Sequence, residues 1–445
     1  MINLKTNIFF KLGIILALIL VLMVPTHMVK NLIDDRQEIQ SNAINEVSSK
    51  WGGVQTITGP FIAIPFDEYS KQLIPNTNSF TTVKTQNWLY FLPETLKVNG
   101  DLNPQKRIRG IYEVIVYDTK LNISGIFNHI DLSKFNINET NLHLDLAKLN
   151  LGITDLKGIE KQVNLNWNGE NIIFNSGISG PDIISSGINS SILIDLDSNA
   201  NYTFSLDIEL KGSQNIYFNP LGKTTDVSLK SNWTTPSFSG NYLPDDREVT
   251  ESGFEAHWNI LNLNRNYPQY WIGNKYSIKK SSFGVDLLLP VDKYKKSDRV
   301  VKYAILFLIL TYLVFFFVEV LNQVFIHPIQ YLLIGIAILL FYTLLLSFSE
   351  HIDFNSSYIL SSLMTISLIT AYMIAVIKSK TLSLMIGSIL GIFYTFIFII
   401  IQLEDFALLI GSLGIFFILC VVMYFSRKID WYDIKIGMKP NKFKE

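Results

Sequence analysis

One carboxylate stands inside an apolar run. Glu319 lies in Val-Phe-Phe-Phe-Val-Glu-Val-Leu, about one turn from the end of a hydrophobic segment. A charge at the centre of a membrane helix costs about 2.5–3.5 kcal/mol on insertion scales, and less near an end that water reaches. Such a group either carries a proton or ligand, or is held by a partner that fixes helix packing; the partners nearest in sequence are Gln323 and His327. A second polar pair, Glu350-His351, ends a later apolar run and offers a contact or proton site. Adjacent residues on a helix point in different directions, so a hydrolytic role for this pair needs a third group that the sequence does not reveal. A third candidate is the segment from Trp233 to Trp258, which includes Arg247 and mixes aromatics, prolines, glycines and charges. It reads as an ordered loop over a sheet, either binding something or serving as a long hairpin connection with a packed tip.

Other chemistry is thinly represented. The six histidines (His27, His129, His143, His257, His327 and His351) include no pair spaced as on a metal-binding helix. The lone cysteine, Cys420, permits no disulfide within the chain and no cysteine zinc site. No HExxH, P-loop, GxSxG or GxGxxG in its strand–helix setting is present. The expectation is therefore a protein without enzymatic activity, catalytic residues, metal or cofactor. Asn-x-Ser/Thr triplets at Asn122, Asn138, Asn201 and Asn232 are coincidences of an Asn-rich chain.

The elements that must position these residues are mostly membrane helices. The hydrophobic fraction is 49% over 445 residues. The formal charge of −1 predicts no nucleic-acid partner. Runs at roughly 8–29, 300–323, 328–349, 357–377, 381–401 and 406–425 are each long enough to cross a bilayer as helix. The first could be a cleaved signal peptide, but Pro25-Thr26-His27-Met28 offers no small-x-small site, so it reads as an uncleaved anchor. With both termini cytoplasmic, Lys5, Lys11, Lys378, Lys380, Arg427 and Lys428 lie inside, and the short outer turns carry no Lys or Arg. The basic group Lys293, Lys295, Lys296, Arg299 and Lys302 runs against that rule, from which long translocated domains often escape.

Between the first and second runs the period changes. Residues 30–51 continue as a helical stalk broken at Gly52-Gly53. Alternation then dominates: Tyr112, Val114, Val116; Leu142, Leu144, Leu146; and Tyr202, Phe204, Leu206, Ile208, Leu210. Such rows predict strands with one buried face. The expected organisation is an anchor (1–29), the stalk (30–51), a β-rich extracytoplasmic domain (52–299), five membrane helices (300–425) and a basic tail (426–445). The fold class is a membrane α-helical bundle with a large, mainly antiparallel β domain of two sheets or two subdomains, α+β overall.

Several stretches resemble the CreD family of bacterial inner membrane proteins. They are Gly59-Pro60-Phe61-Ile62-Ala63-Ile64-Pro65, Leu92-Pro93-Glu94-Thr95-Leu96, Ser231-Asn232-Trp233 through Pro236-Ser237-Phe238, and Arg247-Glu248-Val249 with Glu251-Ser252-Gly253-Phe254. The longest stretch runs from Asp298-Arg299 through Glu319, His327-Pro328 and Gln330-Tyr331-Leu332-Leu333 to Ser349-Glu350-His351, and Asp430-Trp431-Tyr432 also matches. The resemblance is weakest in the Asn-rich region 120–200. It implies a Gram-negative inner membrane protein linked to envelope integrity, to a two-component regulatory system, and to altered tolerance of colicins and cell-wall antibiotics. It supplies no catalytic residue. The expected role is support of envelope integrity or stress tolerance through a periplasmic binding or scaffolding β domain on a six-helix base. The expected partners are the bilayer and an envelope component, lipid or another envelope protein. The alternative is a transporter or lipid-handling protein using Glu319. Binding candidates are Glu319, His327, Glu350, His351, Trp233 and Arg247.

Overall fold

The computed structural model describes residues 8–73, 80–130, 135, 137, 139–180, 183–195, 201–287, 293–403, 406–427 and 429. It divides into two compact units, one of Met1–Gln40 with Val291–Glu445 and one of Ser41–Pro290.

The helices are α1 (Ile8–Trp51), α2 (Lys293–Lys302), α3 (Ala304–Asn322), α4 (Pro328–Ser349), α5 (Phe354–Ile377), α6 (Lys380–Gln402) and α7 (Ala407–Ser426). Six of them, all but α2, are long and apolar enough to cross a membrane. The first continues without a break to Trp51. Pro25 lies inside it, and the Thr26 hydroxyl donates to the Leu22 carbonyl at 2.8 Å, one turn back. Hydroxyls of this kind help satisfy the backbone around a proline in a membrane helix. Gly335 in α4 admits close packing, since a Cβ there would lie 2.3 Å from Leu22 of α1 and 2.2 Å from the Tyr312 hydroxyl. The second apolar run begins later than its hydropathy suggests. Residues 293–302 form the separate helix α2, and Tyr303 leaves helical geometry before α3 starts.

The other unit carries two sheets. Its strands are β1 (Gln55–Leu73), β2 (Phe80–Phe91), β3 (Thr95–Arg109), β4 (Tyr112–Phe127), β5 (Lys148–Ile153), β6 (Asn164–Trp167), β7 (Glu170–Ile173), β8 (Asn175–Ser176), β9 (Gly187–Ser191), β10 (Tyr202–Ser213), β11 (Asn215–Asn219), β12 (Thr224–Ser231), β13 (Pro236–Gly240), β14 (Asp246–Thr250), β15 (Gly253–Leu261), β16 (Tyr270–Ile272) and β17 (Phe283–Leu287). Among the described residues, one sheet has nine strands along the path β13-β17-β11-β1-β5-β9-β8, with β2 and β16 joined at β1. The other has eight, in the order β14-β15-β12-β3-β4-β10-β6-β7. Pairing is antiparallel except for β1 with β11 and β3 with β12.

The alternation in β10 is borne out: Tyr202, Phe204, Leu206, Ile208 and Leu210 are buried, while Thr203, Ser205 and Asp207 are exposed. A single apolar core joins the inner faces of both sheets, and the Trp258 ring of one lies 5.6 Å from the Phe283 ring of the other. The stretch Gly59 to Pro65 is the centre of β1, where the strand changes partner. β11 pairs with it through Thr58, β2 pairs from Ile62 onward, and the register with β5 shifts between Thr58 and Phe61. Gly59 has φ +119°, a backbone conformation suited to glycine, and Pro60, which has no N–H, falls in the interrupted part of the ladder.

Two expectations fail. The row Leu142, Leu144, Leu146 is not a strand but a pair of 3-10 turns, Glu139–Asn141 and Leu144–Leu146. Leu142 makes only an isolated bridge to Phe66, after which backbone bonds close local turns from Leu146 to His143 and from Ala147 to Leu144. Leu146 is 46% exposed, so the alternation never became alternating burial. The segment Trp233–Trp258 is not a loop either. It contributes β13 to the nine-stranded sheet and the β14–β15 hairpin to the eight-stranded one.

The end of α1 docks on its own unit. The Trp51 indole donates to the Tyr117 carbonyl at 3.3 Å, and its ring has Arg107 at 4.8 Å and Lys211 at 4.6 Å.

Candidate functional site

Glu319 sits in the last turn of α3 and is fully buried. Its partner is Lys11 in the first turns of α1, whose ammonium donates to Glu319 Oε1 and, at 2.9 Å, to the Ile326 carbonyl. The Ile326 N–H donates to Oε1 at 3.3 Å, and the Tyr331 hydroxyl of α4 donates to Oε2 at 3.0 Å. Lys11 Nζ also lies 4.9 Å from the Phe325 ring and 5.4 Å from the Tyr331 ring. Tyr331 is anchored in turn, because the Tyr312 hydroxyl donates to its carbonyl at 2.8 Å.

The carboxylate therefore ties α1, α3, the α3–α4 connection and α4 at one end of the bundle. A buried carboxylate and ammonium each carry a large desolvation cost, offset only when paired and hydrogen-bonded at every lone pair and proton. Here both carboxylate oxygens are engaged. The expected local partners do something else. His327 caps α4, its Nδ1 accepting from the Ile329 N–H at 3.3 Å while Gln330 Oε1 accepts from the His327 N–H at 2.8 Å. Gln323 is the exposed, left-handed cap of α3. The signal for Lys11 was present in the chain, as a lone cation in one apolar segment and a lone anion in another. Sequence separation of 308 residues hid their meeting.

Glu350 and His351 part company. Glu350 caps α4, forms an ion pair with Arg36 Nε and accepts from the Tyr294 hydroxyl, each at 3.4 Å, whereas His351 is exposed. Neither is brought to Glu319: Glu350 is at the opposite end of α4 from Tyr331.

In the β unit, Trp233 is partly buried against the core and its indole donates to the Thr235 carbonyl at 3.2 Å. Arg247 lies on the exposed edge strand β14, its guanidinium 5.9 Å from the Phe238 ring. It borders a shallow hollow of about 410 Å³ shared with Lys230, Glu248 and His257. A larger hollow of about 540 Å³ opens on the outward face of the eight-stranded sheet, lined by Asn99, Lys120, Asn122, Asp207, Glu209 and Lys230 among others. This face follows from the same alternation that builds the core, since every second residue of β3, β4, β10 and β12 points away from it. Side chains pair there: Asn122 Nδ2 of β4 donates to Asp207 Oδ1 of β10 at 2.8 Å, and Lys161, in the connection before β6, meets Glu209 at 2.8 Å. The face offers amide, ammonium and carboxylate groups in close mixture. Such a surface can hydrogen-bond a polar ligand without a strong net field.

Weak likenesses to solved structures carry no argument. A crystal structure of an M1 zinc metallopeptidase from Deinococcus radiodurans matches over 38% of this chain and 38% of its own, at TM-score 0.19 and 8% identity. A two-domain M1 zinc metallopeptidase matches over 44% and 42%, at TM-score 0.20 and 9% identity. The sequence comparisons are of another order. The family model described as inner membrane protein CreD matches residues 7–432. The inner membrane protein CreD of Escherichia coli (strain K12) is 31% identical over 444 residues, covering 99% of this chain and 97% of that protein. With six helices among the described residues long and apolar enough to span a bilayer and a match along nearly its whole length, the chain belongs to the CreD family of inner membrane proteins.

Proposed function

We propose that this protein supports the integrity of the cell envelope without catalysing a reaction. In this reading both termini are cytoplasmic, the β unit is periplasmic, and it binds or scaffolds an envelope component or another envelope protein. The observation that carries the reading is the division of polar groups. The intramembrane carboxylate Glu319 is consumed by Lys11, Tyr331 and the Ile326 backbone, while the open, polar, unburied groups gather on the outward face of the eight-stranded sheet. A carboxylate so enclosed serves as a tie between helices. The alternative, transport or lipid handling through Glu319, requires that tie to open.

The test separates them in a strain lacking its native protein. A charge reversal of the sheet face, Lys120→Glu with Lys161→Glu and Lys230→Glu, abolishes survival under envelope stress at a normal membrane level if the face binds. The paired replacement Lys11→Met with Glu319→Leu removes both intramembrane charges. Retained protection supports the scaffold, and loss at a normal level supports transport. Labelling of single cysteines placed in the β unit and in the tail, in intact cells with Cys420 replaced, tests the orientation.

A further inference from the structure

α5 turns its hydroxyls inward. Ser357, Tyr358, Ser361, Ser362 and Thr365 are buried, while Ile359, Leu360, Leu363, Met364 and Leu368 are exposed. The helix packs against α4 and α6. Backbone answers several of these hydroxyls: Ser357 donates to the Asp353 carbonyl at 2.9 Å, Ser362 to Tyr358 at 2.6 Å and Thr365 to Ser361 at 2.9 Å. Small side chains that bond back onto their own helix permit close helix packing and call for no ligand. The Tyr358 hydroxyl crosses to α6, donating to the Tyr394 carbonyl at 2.8 Å.

Other hydroxyls in the bundle have no such answer. Among the described residues of the spanning helices, Thr311 Oγ1, Ser361 Oγ, Thr370 Oγ1 and Tyr394 Oη are buried and make no hydrogen bond. Thr370 stands apart, against Gly387. The other three belong to one region. The Phe307 ring, one turn before Thr311 on α3, lies 4.4 Å from the Tyr394 ring. Tyr394 faces the Thr365 hydroxyl, one turn beyond Ser361 on α5. Tyr342 of α4 is buried near both Tyr358 and Tyr394. Thr311, Tyr342, Ser361, Thr365 and Tyr394 each lie about two turns or more from either end of their helices. That level is the middle of the hydrocarbon, where an unanswered hydroxyl is costly. A tyrosine hydroxyl cannot reach the carbonyls of its own helical turn, so close packing does not account for Tyr394.

We infer that α3, α4, α5 and α6 enclose a binding site for water in the middle of the bilayer, lined by Thr311, Tyr342, Ser361, Thr365 and Tyr394. The lining selects its guest. Each hydroxyl both donates and accepts, and no charge stands among them: Glu319 and Lys380, the charged residues of these four helices, lie at helix ends. The guest that fits is small, neutral and able to donate and accept at once. Water meets those terms, and a buried water takes about two to four polar partners, which this lining supplies. An ion would find no countercharge here. The site involves neither the β unit nor the Lys11–Glu319 tie, so it stands or falls apart from the proposed function.

The experiment is X-ray radiolytic footprinting of the full chain in nanodiscs, read by mass spectrometry. Radicals formed from water held inside a protein oxidise the side chains beside it. Tyr394 and Tyr342 are expected to be oxidised several-fold faster than Phe316, a buried ring of α3 that serves as the dry control. Ser361→Ala and Thr311→Val, which remove lining hydroxyls, are expected to lower the labelling of Tyr394 several-fold. Labelling of both tyrosines no faster than that of Phe316 overturns the inference, as does labelling of Tyr394 undiminished in both variants. Thermal unfolding of Tyr394→Phe reads the same question by sign. Loss of a hydroxyl that water satisfies lowers the melting temperature, whereas loss of a dry, unpaired one raises it and overturns the inference. If the variants fail to fold, the labelling of the unmodified chain decides by itself.

Discussion

Among the described residues each unit buries one cation, and the two are satisfied differently. In the bundle, Lys11 is 8% exposed and meets a full countercharge, Glu319. In the β unit, Arg265 is 7% exposed and meets no carboxylate among the described residues. Its guanidinium instead donates to the carbonyls of Tyr267 at 2.7 Å and Leu221 at 3.1 Å and to the Gln269 side chain, and lies over the Tyr267 ring at 4.2 Å. Burial pulls its pKa down to about 10, so it stays charged at neutral pH. The difference follows from the donors. A planar guanidinium spreads its charge over several carbonyl dipoles, whereas a compact ammonium against a membrane calls for an opposite charge.

The sharpest way to break this comparison is to remove one partner of the bundle pair. Lys11→Met leaves Glu319 buried and uncompensated and should cost about 3–5 kcal/mol, as should Glu319→Leu. Their combination should recover most of the loss in thermal unfolding of the full chain in detergent. A double variant no more stable than the worse single one would show that the pair is not the unit of stability.

Arg265→Gln should cost less, about 1.5–3 kcal/mol, because it abandons carbonyls to partial solvation without stranding a charge. Arg265→Lys should rescue only part of that, since an ammonium cannot reproduce the fork. Full rescue by lysine, seen in the unfolding transition of the β unit, would erase the distinction between the two cations.

Asp118 sharpens the contrast from the acid side. Burial, with Glu160 nearby, raises its pKa above the usual carboxylate range, against the pull of Lys211 and Arg107. A raised carboxyl pKa favours the neutral form in the fold, so its contribution is complete below the unfolded value of about 3.9 and is lost as pH rises through the folded one. Asp118→Asn should therefore stabilise the chain by about 0.5 kcal/mol at neutral pH. The gain should vanish in acid, and a constant gain at every pH would point to packing instead.

The smallest effect belongs to the exposed pair Lys161–Glu209. The ion pair holds the Lys161 pKa up and the Glu209 pKa down. Lys161→Gln should shift melting only slightly, and the shift should disappear in high salt, because water screens such pairs. A salt-resistant loss would mean that the polar face is more enclosed than its exposure indicates.

Much of the architecture was legible from local pattern. The six spanning helices, the continuation of the first to Trp51 and the strands at 112–116 and 202–210 each follow from a period that a short window contains. The row at 142–146 misled because alternation of residue type promises a strand only where a partner runs alongside, and β1 is joined there by a single bridge. The segment 233–258 misled in the other direction: its prolines and glycines stand at strand ends and turns, and its aromatics Phe238, Phe254 and Trp258 pack on one another in the core.

By itself the sequence determined which segments enter lipid, where the period changes to that of a sheet, and that one carboxylate must be satisfied within an apolar helix. Hydropathy and periodicity are properties of neighbouring residues, and they need no partner to be read. Only the tertiary structure decided that Lys11 answers Glu319 across 308 residues, that Glu350 turns to Arg36 and Tyr294 while His351 stays in the open, and that the stray cations at 293–302 belong to a helix separate from the spanning one. Those outcomes depend on which helix ends meet, and a meeting between distant segments is set by packing that no local pattern encodes.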